Sequence, residues 1–393
     1  LNVIYTMQEY PDYDLDKKIT DDIASQCCYM AARELIDKSG QRYTEYGLDK
    51  PVATVSVRYS DASEIKFYIG NDAPDNKGLY LRLDGDRNVY LVQTSMVNAL
   101  LVEGIQVLDK TLTGSIDEFK DLLISGTNYQ DEIHIAENTL SCYSSLYMMK
   151  EPARYGCDNT KTNSILNSVS DLKAEFITVV DATEDDIKKY GLDDPYESLT
   201  VVGKEGNPIC LIASEPDENK CFYLMNTDKS IIYQDYVLEN SWYNLKKSDF
   251  LSDSVFKCKA DAIQELTLKM EHQTAVYHTE QEMSLNEQYY ETMTTTVTRD
   301  NEKIDYSNYS LFLSNLSDIK RTSDIPDSLE NSIELFRADF KYFNLDSVTD
   351  SLVLYREKSG KTIAVLNGNI ESYVDSEFVD SFISVDRKST RLN

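Results

Sequence analysis

Length, composition and charge set the first limits on this chain. It has 393 residues, and a prior of about one domain per 150 residues predicts two or three domains, each large enough to bury its own core. Asp and Glu number 68 against 39 Lys and Arg, which gives a net charge of -29. A surface this acidic repels phosphate backbones and anionic lipid headgroups, so nucleic acid is excluded as an expected partner.

Cysteines and chain ends give few functional signals. The seven cysteines are irregularly spaced, with Cys27 beside Cys28 and no CxxC, so neither a zinc site nor a disulfide framework is indicated. No apolar run approaches the roughly 18 residues of a membrane span, and no signal peptide is visible. The chain opens on Leu1 inside a predicted strand over residues 2–7, so we expect an N-terminal part to be missing. Residues 386–393 resemble the translation of a sequencing adapter, and we expect them to lie outside the fold.

The predicted elements begin with an amphipathic helix. Apolar residues recur at helical spacing from Ile19 to Met30, after acidic residues that suit a helix start. A short strand at 33–37 and a small polar helix lead into the turn YGLDKP at residues 46–51. Four strand-like runs follow, and their connecting loops are too short for crossover helices, which predicts an antiparallel sheet. These runs cover residues 53–59, 65–69, 78–83 and 88–92.

The same order of elements then recurs, which predicts an internal repeat. Helical spacing over residues 165–172 is followed by a strand at 175–180 and by a second turn, YGLDDP at 190–195. A predicted hairpin that pairs 132–137 with 142–147 precedes this copy. The strand-like runs of the second copy cover residues 198–202, 208–213, 221–225 and 230–233.

A third, more degenerate copy is predicted for the rest of the chain. Helical spacing covers residues 306–316, and Asn344-Leu345-Asp346 stands in the place of YGLD. The strand-like runs are 265–270 and 274–279 before the helix, and 351–355, 362–366 and 371–374 after it. The predicted fold class is therefore α+β, with tandem repeats of hairpin, helix and antiparallel β-meander. The predicted boundaries are 1–112 for the first, N-terminally truncated repeat, 113–250 for the second and 251–385 for the third.

The repeated turn has a structural explanation. In each copy the tyrosine ends a short helix, the glycine takes the left-handed conformation that closes it, the leucine packs back and the proline prevents helix continuation. The aspartate has no His, Cys or second motif acid nearby, so we interpret the turn as a helix-to-sheet joint rather than a catalytic site. The motif residues are Tyr46, Gly47, Leu48, Asp49 and Pro51 in the first copy, and Tyr190, Gly191, Leu192, Asp193 and Pro195 in the second.

One acidic cluster has the spacing of a calcium loop. Asp12, Asp14 and Asp16 form D-x-D-x-D, but the sixth position of the loop is Lys17 rather than Gly, and the twelfth is Ile23 rather than Glu. The two positions that define such a loop therefore lack the residues that a calcium loop requires. A group of acids at a helix N-terminus is the favoured interpretation.

Signatures of catalysis and metal binding are not found in the sequence. Of the three histidines, His272 and His278 lie on one predicted strand at roughly 20 Å from each other and cannot share a metal, and His134 alternates with apolar residues as a polar-face residue. No nucleophile, Walker or dinucleotide-binding motif is present. We therefore predict no catalytic residue, no metal and no cofactor.

Tyrosine is the one compositional excess, with 28 residues against 12 Phe and a single Trp. Cross-strand pairing explains the strand tyrosines without a ligand. A small-molecule or glycan surface on the Tyr-rich sheet faces remains the alternative, and Trp242 is predicted to anchor the core. The strand tyrosines are Tyr59, Tyr68, Tyr80, Tyr90, Tyr223 and Tyr233.

The residues that carry the repeat also carry a family resemblance. The stretch EYGLDKPVATVSVRYSDASEIKFYIGNDAPDNKGLYLRLDGDRNVYLV resembles the signature region of the DUF4340 family, which shows YGLD-x-P, a strand, an IGN-type turn and a VYLV strand. KYGLDDPYESLTVV is similar to the second copy often seen in such proteins. The resemblance covers most of residues 1–250 and, more weakly, 251–385. The second copy departs where Ile212-Ala213-Ser214 replaces Ile69-Gly70-Asn71.

The resemblance implies a location and a class of partner. Proteins of this kind typically carry an N-terminal membrane anchor, which would precede Leu1, with the repeated domain outside the bacterial cytoplasm, and some are associated with ABC-type exporters. We therefore expect a non-enzymatic, extracytoplasmic module of a protein anchored in the cell membrane, accessory or scaffold to an ABC-type transport assembly. The family contributes no catalytic residues. An enzyme whose site is assembled from distant carboxylates and Tyr hydroxyls is the third possibility.

Overall fold

The computed structural model describes residues 3–116, 118–205, 207–238, 241–270, 273–285, 291–326, 328–345 and 347–389. Antiparallel strands dominate these residues, and the helices between them are short. The helices are α1 (Lys17–Cys28), α2 (Asn159–Val169), α3 (Glu184–Lys189), α4 (Lys247–Phe250), α5 (Tyr306–Ser317) and α6 (Ser376–Ser389). The predicted α+β class is confirmed, whereas the division into three repeats stays a prediction.

The strands fall in the order that the sequence pattern indicates. Those of the first half are β1 (Ala32–Asp37), β2 (Ala53–Arg58), β3 (Glu64–Asp72), β4 (Leu79–Leu83), β5 (Val89–Val92), β6 (Phe119–Ser125), β7 (Ile133–Glu137), β8 (Tyr147–Glu151), β9 (Tyr155–Gly156) and β10 (Phe176–Val180). Those of the second half are β11 (Glu197–Gly203), β12 (Ile209–Ala213), β13 (Cys221–Asn226), β14 (Ile231–Tyr236), β15 (Ile263–Met270), β16 (Gln273–Leu285), β17 (Glu291–Arg299), β18 (Glu302–Ile304), β19 (Ser332–Tyr342), β20 (Thr349–Glu357), β21 (Thr362–Leu366) and β22 (Asn369–Val374).

The chain divides into two compact units, each made of three segments. The first unit is formed by Leu1–Leu112, Leu172–Tyr190 and Pro216–Tyr236. The second unit is formed by Thr113–Asp171, Gly191–Glu215 and Val237–Asn393.

The first unit is built on a five-stranded antiparallel sheet in the order β1-β5-β4-β3-β2. Alternation along the strands sends Phe67, Ile69 and Leu81 into one buried cluster, and the other face carries Tyr46 and Val89. The same unit holds strands in the order β10-β14-β13, with β10 and β14 antiparallel. The helix-following strand of each copy thus pairs with the last strand of its meander, as β1 with β5 and β10 with β14.

The second unit contains two antiparallel arrangements. One runs in the order β12-β11-β6-β7-β8-β9, and the other is an eight-stranded sheet in the order β18-β17-β16-β15-β19-β20-β21-β22. Large aromatic side chains fill the core of the eight-stranded sheet, where the Phe256 and Phe340 ring centroids lie 4.7 Å apart. Trp242 is 3% exposed, as expected for the predicted core anchor.

Helix starts follow the acidic signals in the sequence. The Asp16 carboxylate accepts hydrogen bonds from the backbone N–H of Lys18 and Ile19 at 2.9 and 3.1 Å, so Asp16 is the N-cap of α1. Asp158 caps α2 in the same way. Thr183 and Asp186 form a reciprocal capping box at the start of α3.

Two predicted strands are wrong, and two helical positions are misplaced. Residues 3–7 form no strand, and Val3 and Ile4 are 59% and 86% exposed, because no neighbouring strand pairs with them; Asn2 lies outside the described residues. Residues 142–146 form a loop, and β8 begins only at Tyr147. Met30 lies beyond the end of α1, and Leu172 lies beyond the end of α2.

Hydrogen bonds from one side chain to backbone groups fix the loop at residues 142–146, where the sequence predicted strand pairing. The Asn138 amide donates to the Ser145 carbonyl at 2.7 Å, and its oxygen accepts from the Leu140 N–H at 2.8 Å. Because these bonds satisfy backbone groups locally, Cys142 and Tyr143 can be buried without strand pairing. β7 pairs instead with β6, which the sequence prediction missed, and with the later strand β8.

Two further observations concern membrane-spanning helices and the C-terminal residues. In the part of the sequence that the structure describes, none of the helices combines the length and the apolar character that crossing a membrane requires. α6 extends over the first four of residues 386–393, and the other four lie outside the described residues.

Candidate functional site

A polar cleft of about 280 Å³ lies in the second unit. Loops supply most of its wall, including the segment that leads from β8 into α2. Three cations, Arg154, Lys257 and Arg321, and two acids, Asp158 and Asp350, line it. The whole wall consists of residues 143–145, 154–160, 252, 254–257, Arg321, Asp350 and Leu366.

A buried carboxylate forms one end of the cleft. Asp350, on β20, is 2% exposed and accepts from Tyr342 at 2.5 Å, from Arg154 at 2.6 Å, from Asn367 at 2.8 Å and from the Tyr143 hydroxyl. Burial, followed by the Asp350 charge, raises the pKa of Tyr143, so this hydroxyl keeps its proton and acts as a donor. A carboxylate removed from water needs this number of partners, and Asp350 therefore fixes the loop around Arg154.

A second buried carboxylate stands behind the cleft. The Glu371 side chain, on β22, is 1% exposed; it lies 2.9 Å from Arg321 and 3.4 Å from Lys247, and it accepts from the Tyr155 hydroxyl. Burial lowers the pKa of Lys247, against the opposing effect of Glu371. Arg321 also donates to the carbonyls of Ser252 and Val255, both at 3.0 Å, so the network ties the cleft loop to β22.

Two arginines of the cleft wall carry side-chain nitrogen atoms that no described residue satisfies. The Nε atoms of Arg154 and Arg321 are buried and have no acceptor among the described residues. Serine hydroxyls of the wall add neutral donors and acceptors. This combination suits a small polar molecule or side chain that carries carbonyl or carboxylate oxygens.

A third buried acid lies away from the cleft. Glu197, the first residue of β11, is fully buried, accepts from the backbone N–H of Asn244 and is faced by the Tyr129 hydroxyl. Burial raises the pKa of Glu197 to about 8, so this carboxyl holds its proton at neutral pH.

The repeated joint has the same local geometry in both copies. Gly47 and Gly191 have φ of 66° and 69°, in the left-handed region, and each follows a short helix. Leu48 and Leu192 are 3% and 2% exposed. The prolines, Pro51 and Pro195, come just before β2 and β11, and the aspartates, Asp49 and Asp193, are exposed.

Each joint tyrosine packs against a strand tyrosine, with the two rings tilted relative to each other. The rings of Tyr46 and Tyr80 are 4.7 Å apart with an interplanar angle of 57°, and those of Tyr190 and Tyr223 are 4.6 Å apart, also at 57°. Tyr80 and Tyr223 occupy the third meander strand of their copies. Each joint is thus fastened to its own sheet by one aromatic pair.

The other strand tyrosines take part in contacts within the fold. Tyr68 donates to Asp84 at 2.7 Å, and Tyr90 donates to Asp86 at 2.8 Å. Tyr59 donates to the Cys27 carbonyl at 2.9 Å, and Tyr233 is fully buried. Tyr59, Tyr68 and Tyr90 are half-buried, as expected for cross-strand contacts of a sheet, whereas Tyr233 belongs to the core.

The remaining candidates for metal binding lie apart from one another. The capping role of Asp16 supports the helix-start interpretation of D-x-D-x-D. His134 lies 2.8 Å from Asp121, and His278 lies 3.6 Å from Glu265 on the neighbouring strand, whereas His272 lies outside the described residues. Within the described ranges, no group of three or more His, Cys, Asp or Glu side chains could hold a metal ion.

Sequence reasoning missed the residues of the buried networks. The available signal was an acid at an inward position of an apolar strand, as with Glu197, which alternates with Leu199 and Val201. Asp350 has the same relation to Leu352 in β20. Arg154, the cationic partner of Asp350, lies in a loop far from it along the chain, where no spacing rule points to it.

Comparison with known proteins agrees with the motif. A family model described as a domain of unknown function, DUF4340, matches residues 6–139 and 148–330. No significant match was found among curated proteins or among solved structures. Because the two matched segments cover most of the sequence, this chain belongs to the DUF4340 family.

Proposed function

We propose that this chain is a non-enzymatic, protein-binding module made of tandem α+β repeats. It serves on the extracytoplasmic side of a membrane-anchored bacterial protein, as an accessory or scaffold of an ABC-type transport assembly. The main support for the binding role is that the YGLD joint occurs twice with the same local geometry. The location and the class of partner rest on the family resemblance.

The paired joints support the repeat architecture. Tyr46 on Tyr80 and Tyr190 on Tyr223 agree within 0.1 Å in ring separation, at 4.7 and 4.6 Å. In both copies the strand after the helix pairs antiparallel with the last meander strand. A joint of the same geometry that occurs twice, with its motif residues serving the structure, is typical of a repeated scaffold.

A scaffold role also fits the chemistry of the unusual side chains. Asp350 and Glu371 are both saturated by donors of the same unit, and their cations hold loops in place. Such networks stabilise surfaces that a partner can bind. The net charge of -29 favours a partner with a basic contact face and disfavours anionic lipid headgroups.

Co-purification tests this proposal. The full-length gene that encodes this chain, carrying a tag, is expressed in a related bacterium, and the proteins that remain with it after detergent extraction are identified by mass spectrometry. We expect membrane and ATP-binding subunits of an ABC-type transporter above an untagged control. Recovery of the tagged protein in the cytosolic fraction, or its extraction from the membrane alone, would contradict the accessory role.

A small polar ligand in the cleft is the second candidate function. It rests on the two arginines whose buried Nε atoms have no acceptor in the described structure. A small-molecule or glycan surface on the Tyr-rich sheet faces is less well supported, because hydroxyls such as those of Tyr68 and Tyr90 already donate to carboxylates. A thermal-shift screen of small carboxylates and sugars tests both, with Arg154→Gln as the cleft variant. Stabilisation of the wild type that Arg154→Gln abolishes would favour the cleft.

A further inference from the structure

Arg82, on β4, lies over two tyrosine rings of the first unit. Its Cζ atom is 4.8 Å from the ring centroid of Tyr43 and 4.3 Å from that of Tyr68. Tyr68 is the cross-strand neighbour of Arg82 on β3, and both rings pack against the cluster of Tyr46 and Val89. Both distances are those of cation–π contacts, so the two rings hold the guanidinium in one position.

Hydrogen bonds fix the two rings in turn. The Tyr43 hydroxyl donates to the Arg87 carbonyl at 3.2 Å, and the Tyr68 hydroxyl donates to the Asp84 carboxylate at 2.7 Å. Each ring is therefore held at both ends, by its backbone and by its hydroxyl. A guanidinium that rests on fixed rings is already ordered, so little side-chain entropy is lost when it binds a further group.

Arg82 has no carboxylate partner among the described residues. Its Nε atom is buried without an acceptor, and no described acid, Asp84 included, is within ion-pair distance of the guanidinium. The other half-buried arginines of the described chain each have a carboxylate oxygen at 2.6 to 3.7 Å. These are Arg154, Arg299, Arg321, Arg337 and Arg356. In a chain with 68 acids against 39 Lys and Arg, Arg82 is thus an exception.

The terminal nitrogens of Arg82 are open to solvent. Neither Nη atom has a hydrogen-bond partner in the described structure, and neither is buried. The guanidinium therefore offers the edge that can donate two parallel hydrogen bonds to one carboxylate. Lys66, whose Nζ atom lies 5.5 Å from the Tyr68 ring centroid, adds a second positive charge to this part of the sheet.

The second copy has an apolar residue at the equivalent position. Arg82 comes two residues after Tyr80, the strand tyrosine of the first joint. Two residues after Tyr223, the strand tyrosine of the second joint, is Met225, which is 6% exposed. This equivalence rests on the repeat architecture proposed above. Packing at this position is thus compatible with an apolar side chain, and it does not require a guanidinium, whose removal from water costs free energy.

We propose that Arg82 binds the carboxylate of a small ligand, with Tyr43 and Tyr68 holding its guanidinium in place. The two Nη groups donate in parallel to the two carboxylate oxygens, as a planar guanidinium favours. The ligand thus supplies the acid that the chain itself supplies to its other half-buried arginines. A monocarboxylate is favoured over a phosphate dianion, because a chain of net charge -29 repels a doubly charged ligand more strongly.

Titration of the whole chain with sodium acetate, followed by NMR of isotope-labelled arginine side chains, tests the proposal. Burial of the Arg82 Nε atom protects its proton from exchange with water, so its Nε–H signal is observable. Sodium chloride keeps the ionic strength constant, and acetamide is the uncharged control of similar size. We expect the Arg82 signal to shift saturably with acetate and not with acetamide. The signals of Arg299, Arg337 and Arg356, which have acids of their own, should not move.

Substitutions separate the paired hydrogen bonds from the charge alone. Arg82→Gln should abolish the response to acetate, and Arg82→Lys should weaken binding at least about tenfold, because an ammonium group lacks the planar pair of donors. Arg87→Gln, at an exposed arginine between β4 and β5, removes the same charge and should change the affinity less than about twofold. In the variants that lack the Arg82 signal, the backbone amide signals of labelled Tyr43 and Tyr68 report both binding and folding.

Three results would overturn the inference: an Arg82 signal that responds alike to acetate, acetamide and chloride, equal losses of affinity in Arg82→Gln and Arg87→Gln, or tighter binding of inorganic phosphate than of acetate. The outcome is separable from that of the co-purification. Absence of transporter subunits in that experiment leaves the acetate response of Arg82 intact. Absence of the acetate response removes Arg82 as a ligand site and leaves the accessory role unaffected.

Discussion

The guanidinium of Arg321 lies 2.9 Å from a carboxylate oxygen of Glu371, whose side chain is 1% exposed. Lys247 approaches the other oxygen at 3.4 Å, so two cations share one buried anion. Removing an ion pair from water costs several kcal/mol per ion, and the geometry must offset that cost. Loss of the central carboxylate alone leaves both cations without their partner.

Glu371→Leu should therefore destabilise the chain strongly. We expect the free energy of unfolding to fall by about 3 kcal/mol, because Arg321 and Lys247 would keep their partly buried positions without an anion. Urea unfolding followed by circular dichroism measures this change.

An exposed ion pair in the same unit is the control. Arg356 and Asp380 lie 2.6 Å apart, but Asp380 is 61% exposed. Asp380→Asn should cost less than about 1 kcal/mol, since solvent screens such pairs. Equal costs for Glu371→Leu and Asp380→Asn would contradict the structural importance of the buried network.

Glu197 should make stability depend on pH. Its folded pKa, raised by burial to about 8, exceeds that of an unfolded glutamate, so the folded state binds more protons between these values. Its contribution is complete below the unfolded pKa and is lost as pH rises through about 8. Glu197→Gln should remove this loss, which is at most about 4 kcal/mol between pH 5 and 8.

The measurement compares unfolding free energies across that pH range. The difference between the wild type and Glu197→Gln isolates this carboxyl from the other acids, and the exposed Glu205→Gln serves as control. A pH profile for Glu197→Gln that is parallel to the wild type would show that Glu197 ionises without cost in the folded chain.

Local signals predicted much of the fold. Period-two alternation found the meander strands to within a few residues, as with residues 53–59 against β2 at Ala53–Arg58. The acidic cluster at Asp16 marked the start of α1, and YGLD located both joints. Each of these features depends on residues close together in sequence, where spacing carries the physical information.

Long-range features could not be predicted in this way. β6 was missed because its place between β11 and β7 is set by pairing with a strand much later in the chain. The cleft joins Arg154 to Asp350, and Tyr155 to Glu371, across even longer separations. Nothing in the sequence near Arg154 indicates which acid will neutralise it.

Asp16→Ala should weaken the start of α1. Its carboxylate accepts from two backbone N–H groups, and loss of such a cap costs about 1 kcal/mol. Asp12→Ala, at an exposed residue, should change stability little. Thermal unfolding with and without calcium completes the test, because a calcium loop would be stabilised by the ion and would respond to both substitutions.

Gly70→Ala should disrupt the first joint. A Cβ at Gly70, in β3, would lie 2.2 Å from the backbone carbonyl oxygen of Tyr46, and backbone cannot move aside as a flexible side chain can. We expect a loss of about 3 kcal/mol from overpacking at the point where the joint meets the sheet. Gly85→Ala is the control: Gly85 has φ of 76° but no atom within 4 Å of its Cβ position, so only backbone strain of about 1 kcal/mol applies. Chemical unfolding measures both, and a cost for Gly70→Ala no larger than that for Gly85→Ala would show that the joint does not pack against β3.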